Sequence, residues 1–186
     1  MDKPLLIPRR KSQVEKGEIY FWTATINKWR RLLEKHEYKQ IILDSLQYLS
    51  KAGKIDVFAF IIMPNHIHLI WRVNEPNGKE SPHGSFLKYT AHIFQKMLQQ
   101  EGGCKLRPYR VDATNKNYEF WQRDSLAIHL LSREMALQKL TYLHNNPLAE
   151  HWQLCDSPES YYYSSARFYE TGIDDFGFLK HIMDVL

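Results

Sequence analysis

His66 and His68 are the residues of this chain best placed to do chemistry. They stand in Ile62-Met63-Pro64-Asn65-His66-Ile67-His68-Leu69-Ile70-Trp71. A strand alternates its side chains every two residues, so both imidazoles project from one face while Ile67 points into the core. Two imidazoles side by side on a rigid strand can grip one divalent cation. A single His-x-His is common by chance, and a second feature gives this one weight. In Lys139-Leu140-Thr141-Tyr142-Leu143-His144-Asn145-Asn146-Pro147, Tyr142 and Asn146 fall one helical turn apart on one face. The tyrosine hydroxyl is a nucleophile, and the carboxamide oxygen is a third metal ligand on the same rigid element. Zinc prefers more nitrogen or thiolate; two imidazoles, an amide oxygen and waters suit Mg²⁺ or Mn²⁺. His144 is a rival ligand, but two residues from Tyr142 it turns to a different face.

These groups need a strand and a helix to hold them. Apolar runs flank the histidines and read as two short buried strands, Ile55 to Met63 and His66 to Val73, meeting at the Pro64-Asn65 corner. Glu18 to Ile26 predicts a first strand, and Tyr38, Ile41, Ile42, Leu46 and Leu49 give helical spacing across Glu34 to Lys51. Asn74 to Gly84 reads as a loop, and Ser85 to Gln100 as a second helix. Tyr118 to Leu131 supplies a fourth strand. Ser132 N-caps a third helix that Pro147 stops, with Leu137, Leu140 and Leu143 anchoring it to the body. The order matches an α+β, ferredoxin-like split β-α-β core with an antiparallel sheet, plus an added C-terminal helix carrying the tyrosine. In that topology the histidine strand is one of the central pair, and the sheet face opposite the two core helices is expected to stay open.

Composition narrows the function classes. A chain of 186 residues fits one domain with a real core. No apolar run approaches a membrane span, and the first ten residues lack the apolar stretch of a signal peptide, so a cytoplasmic protein without membrane contact is expected. The two cysteines, Cys104 and Cys155, form no Cys-x-x-Cys. Gly102-Gly103 lacks the Walker pattern of a phosphate cradle. The formal net charge is +4, unevenly spread: residues 1–31 carry eight Lys/Arg against three acids, and residues 150–186 carry seven acids against Arg167 and Lys180. A basic end suits phosphates, and neighbouring Tyr20, Trp22 and Trp29 offer rings for bases. His36, His83, His92, His129, His151 and His181 have no partner at ligand spacing and read as ordinary.

Met63-Pro64-Asn65-His66-Ile67-His68-Leu69 resembles the His-hydrophobic-His signature of the single-tyrosine HUH transposases of small bacterial insertion sequences. Tyr142-Leu143-His144-Asn145-Asn146-Pro147 resembles the tyrosine helix of their REP-associated branch, the REP-associated tyrosine transposases. Phe120-Trp121-Gln122-Arg123 and Pro158-Glu159-Ser160-Tyr161-Tyr162-Tyr163-Ser164-Ser165-Ala166-Arg167 are similar to that branch too, and the likeness spans roughly residues 17–170 in order. The compact insertion-sequence enzymes carry glutamine one turn after the tyrosine; Asn146 departs from them and agrees with the REP-associated branch.

The resemblance implies a metal-dependent endonuclease and strand transferase acting on single-stranded DNA near hairpins. Tyr142 would be the nucleophile, forming a 5′-phosphotyrosine, and His66, His68 and Asn146 would hold Mg²⁺ or Mn²⁺. Arg9, Arg10, Lys28, Arg30, Arg31 and Arg123 are the candidate DNA contacts. The expected organisation is a basic arm over residues 1–16, the nuclease domain over 17–147, and an acidic, aromatic tail over 148–186 packed on it. Monomer and homodimer stay open, since the tail is placed to cover a surface that would otherwise pair. The alternatives are a catalytically silent DNA-hairpin binding protein and a metal-dependent phosphohydrolase of small molecules.

Overall fold

The structure is a computed structural model that describes residues 13–114 and 116–186. Arg9 and Arg10, with most of the expected basic arm, lie outside the described residues. The chain runs β1 (Ile19–Thr25), α1 (His36–Lys51), β2 (Ile55–Ile62), β3 (His66–Val73), α2 (Pro82–Gln100), β4 (Arg110–Ala113), β5 (Lys116–Tyr118), β6 (Leu126–His129), α3 (Arg133–Asn145) and α4 (Ala166–Thr171). Four strands form one antiparallel sheet in the order β2-β3-β1-β6. This is the ferredoxin-like arrangement expected from the sequence, with β3 and β1 at its centre. The expected fourth strand shrinks to β6, and Trp121 upstream makes only one bridge, to Ile26. The β4-β5 hairpin is an addition to the expected elements; with strands of 4 and 3 residues it is too short for alternation to stand out from a loop. Helix α2 starts three residues early, because the Ser81 hydroxyl accepts from the Gly84 N–H and Pro82 suits a first helical position.

Strand alternation sorts the side chains into two cores. Tyr20, Trp22 and Ala24 of β1 and Ile67, Leu69 and Trp71 of β3 pack against Tyr38, Ile42, Leu46, Phe86 and Phe94 of α1 and α2. Tyr20 and Trp22 are therefore packing residues and cannot offer their rings to a base. Ile19, Phe21, Phe58, Ile61 and Ile70 face the other way. A one-residue irregularity between Val57 and Ala59 keeps β2 in step with both cores.

The second sheet face is not open, contrary to the topological expectation. Ala136, Leu140 and Leu143 of α3, with Tyr161 and Ile182 of the tail, cover it. Burying a large apolar side chain such as Phe21 or Ile70 is worth about 1.5–3 kcal/mol, which drives that coverage. Thr23, Thr25, His66 and His68 sit at the end of the same face and line an open cleft. Leu137 does not anchor α3 and is exposed. Ala136, Leu140 and Leu143 keep the three-four spacing, and Leu137 falls about 100° around from Ala136.

The tail also closes the outer edge of β2. Ile62 N–H donates to Tyr163 O (2.9 Å), Ser165 N–H to Phe60 O (3.0 Å) and Lys180 N–H to Val57 O (3.0 Å). Edge groups that would template another strand are thereby paired within the chain. Ser165 Oγ accepts from Phe60 N–H (3.1 Å) and lies 2.9 Å from His144 Nε2, so one buried hydroxyl joins β2, the tail and α3. Among the described residues no helix is long and apolar enough to cross a membrane. Ser165→Ala leaves the Phe60 amide and the His144 imidazole without that partner; urea unfolding should show a loss of about 1–3 kcal/mol.

Candidate active site

The corner between β2 and β3 is three residues long, and backbone bonds fix it on both sides. Ile26 N–H donates to Asn65 O (2.8 Å), Leu33 N–H to Pro64 O (2.9 Å) and Met63 N–H to His66 O (2.8 Å). Ile67, wholly buried, locks the phase of β3, and His66 and His68 turn to the opposite face with 7% and 6% of their surface exposed. Their rings lie 4.7 Å apart, centroid to centroid.

Each imidazole has its Nδ1 engaged. His66 Nδ1 is 2.6 Å from Asn65 Oδ1, and Asn65 Nδ2 donates to Trp29 O (3.3 Å). With the amide turned this way the oxygen faces His66 and can only accept, so Nδ1 donates to it and Nε2 is left for a further partner. His68 Nδ1 is held at 2.7 Å by Thr23 Oγ1, its direct neighbour across the β1–β3 pair. Burial pushes His66 down to about 4; a hydrogen bond to the Asn146 side chain, which favours the protonated ring, opposes it, and the nearby His151 adds to the lowering. Burial, then His66 and Lys139, push His68 down to about 3. Both rings are neutral at physiological pH, the state a metal ligand requires.

Helix α3 brings the remaining groups. Ser132 caps it by accepting from Met135 N–H, and Ala136, Leu140 and Leu143 seat it on the sheet. Tyr142 is therefore left 53% exposed. Its ring meets His68 edge-on at 5.6 Å and Phe21 at 5.9 Å. The Lys139 ammonium lies 5.6 Å from the centre of the Tyr142 ring and 5.3 Å from that of Phe21. Asn146 closes the helix, and its side chain reaches His66. His144 turns away, as the helix spacing predicts, into the tail against Ser165 and Tyr169.

His66, His68, Tyr142 and Asn146 line a cleft of about 720 Å³, with Thr23, Thr25, Trp29, Asn65, Asn145, Ala149, His151 and Trp152. The structure thus brings His66, His68, Tyr142 and Asn146 together. His151, read from sequence as an ordinary histidine, also reaches the cleft, because the chain after α3 folds back beside β3. Thr23 was missed, although strand register could have found it; His151 and Trp152 leave no local signal. Lys28 is exposed in the turn before Trp29, and Arg31 lies 5.7 Å from the Trp152 ring while paired with Glu34 at 2.9 Å. Arg30 covers Tyr109 at 5.4 Å, and Arg123 pairs with Glu119 at 3.1 Å, so neither is shown on the cleft wall.

Among the described residues no group of three or more His, Cys, Asp or Glu side chains assembles. A cation here would rest on two imidazole nitrogens and an amide oxygen. The residues fit such a cation: both Nδ1 atoms are engaged and both rings are neutral, and the Asn146 carboxamide stands beside His66.

No protein-family model and no curated protein matches the chain. Among solved structures, a REP-associated tyrosine transposase bound to a REP hairpin is similar over 91% of this chain and 90% of its own, with a TM-score of 0.60 and 16% identity. A candidate transposase from Deinococcus radiodurans R1 aligns over 75% of this chain and 97% of its own, at 17% identity and a TM-score of 0.41. The first shares the fold.

The lowered imidazoles set a pH dependence. His66, His68 and His144 take protons in the unfolded chain near 6.5 but in the folded protein only near 4, 3 and 4. Stability is full above pH ~6.5 and falls as pH drops toward 4, because the unfolded state binds more protons across that window. Urea unfolding of metal-free protein at pH 7.5 and 5 should differ by on the order of 1–2 kcal/mol per imidazole. Equal stability at the two values would mean the rings are already solvated.

Proposed function

We propose that this chain belongs to the single-tyrosine HUH transposases, in their REP-associated branch, and cuts and rejoins single-stranded DNA beside hairpins through a covalent Tyr142 link. The observation that carries this reading is the meeting of a half-exposed tyrosine with two neutral, oriented imidazoles and an amide in one open cleft. The shared fold with a transposase solved on a REP hairpin supports it. The motif resemblance points the same way.

His66 Nε2, His68 Nε2 and the Asn146 side-chain oxygen are the groups that would hold Mg²⁺ or Mn²⁺. When bound, such a cation polarises the scissile phosphate and stabilises charge that builds on its oxygens. Asn65 and Thr23 hold the two rings through their Nδ1 atoms, which leaves the Nε2 atoms as the ones that would take the cation. The Tyr142 oxygen attacks phosphorus: an O–P bond forms to the phenol, the bond to the 3′-oxygen breaks, and that oxygen leaves as a hydroxyl after taking a proton. The phenol proton is lost to solvent. Lys139, beside the Tyr142 ring, contributes a fixed positive charge where negative charge develops. The phosphodiester is conserved in the tyrosyl link, so attack by another 3′-hydroxyl reverses the reaction without ATP.

The hairpin would be held by backbone contacts to basic side chains, with Lys28 and Arg31 beside the cleft. Arg9, Arg10, Arg30 and Arg123 complete the set of candidate DNA contacts.

Labelled hairpin oligonucleotides drawn from repeats beside the gene, mixed with the protein and Mg²⁺ or Mn²⁺ and run on a denaturing gel, test the reading. A metal-dependent labelled protein band is expected, absent in Tyr142→Phe and reduced at least 100-fold in His66→Ala and His68→Ala. Binding without a band would leave a hairpin-binding protein. Neither binding nor band would reopen small-molecule phosphohydrolysis.

A further inference from the structure

Two indoles border the histidine pair. Trp29 and Trp152 stand 6.3 and 6.2 Å from the His66 ring, centroid to centroid, and both line the cleft. Trp29 is 60% exposed, whereas Trp22, Trp71 and Trp121 are buried. A large tryptophan left exposed at the mouth of a cleft is an informative departure from ordinary burial.

The backbone under Trp29 shows that this exposure is built in. Lys28 and Trp29 are both left-handed, each with φ 57°. Such a conformation is costly for a side-chain-bearing residue and persists only where its surroundings enforce it. Here Trp29 N–H donates to Ile26 O (2.9 Å), Asn27 N–H to Phe120 O (2.7 Å) and Asn65 Nδ2 to Trp29 O (3.3 Å). Asn65 is the residue that also orients His66, so one carboxamide fixes both the metal-facing ring and the turn that presents the indole. Trp152, half-buried, is steadied by the Arg31 guanidinium at 5.7 Å and the His151 ring at 5.4 Å.

We infer that Trp29 and Trp152 form a nucleobase-stacking subsite, which seats the bases of the nucleotides flanking the scissile phosphate of single-stranded DNA. The inference rests on the reading of the cleft as a DNA transesterase site. A strand whose phosphate lies at His66 and His68 carries its neighbouring bases past these rings. Every base has a π-face, so the subsite grips single strands without reading their sequence. Arg31, which pairs with Glu34, lies against Trp152 at the rim. Paired bases bury their faces against one another and cannot use these platforms, which gives the cleft its preference for unpaired DNA.

The test uses the full chain and 5′-labelled DNA hairpins with an eight-nucleotide single-stranded flank, read by fluorescence anisotropy. The same hairpins are prepared with one abasic position moved along the flank. Trp29→Ala and Trp152→Ala should each weaken binding roughly ten-fold or more on the intact flank. On a flank abasic at the stacked position the same substitutions should change affinity less than two-fold, and Trp29→Tyr should restore most of the binding. Equal losses on intact and abasic flanks, or no loss at all, would overturn the subsite. The Tyr142 adduct is followed on the same oligonucleotides. An adduct that persists while the tryptophan variants bind normally overturns the subsite alone. A wild-type protein with neither binding nor adduct overturns both.

Discussion

The two-residue alternation of β3, locked by Ile67, Leu69 and Trp71 in the first core, is the constraint on which the rest depends. With those three side chains buried, His66 and His68 have one face available to them. A slip of one residue would bury the imidazoles among the helices and exchange the side chains of the two cores, so the register is strongly specified. The three-residue corner before β3 then places the pair at a sheet end, where the apolar cover of the second core runs out.

That second core does two jobs. By seating α3 through Ala136, Leu140 and Leu143, it aims Tyr142 and Asn146 back at the histidines from a rigid helix. By drawing the tail across Phe58 and Ile61, it closes the free edge of β2, and Tyr161 and Tyr169 donate their hydroxyls to Ile62 O and Phe58 O there. The tail also shelters Lys39, whose ammonium sits over the Tyr163 ring at 4.2 Å and is pushed down to about 8 by burial. The acidic tail is thus part of the body that holds the helix.

Within the cleft, preorganisation is spread over small polar residues. Thr23 and Asn65 do no chemistry, yet each fixes an imidazole, and Asn65 also anchors the strained turn at Trp29. Both imidazoles are kept neutral by burial, and the local cation, Lys139, lies on the tyrosine side. The site thus sets neutral nitrogen atoms on the strand opposite a positive charge on the tyrosine helix.

The histidine strand, its bounds and its facing were readable in the sequence because alternation and the Pro64-Asn65 corner are local signals. The tyrosine helix was readable for the same reason: Ser132 opens it, Pro147 stops it, and the four-residue step from Tyr142 to Asn146 needs no tertiary information. The order of elements sufficed for the ferredoxin-like sheet. The two-sided covering of that sheet was not readable, since the tail's attachment to β2 rests on contacts more than ninety residues apart in sequence, such as Tyr161 to Ile62. The same holds for His151 and Trp152, which look ordinary until the chain folds back beside β3, and for Leu137, whose face depends on where α3 settles. Spacing along a chain fixes what shares a face; which faces meet is set by packing between distant segments, and that is what assembled the cleft.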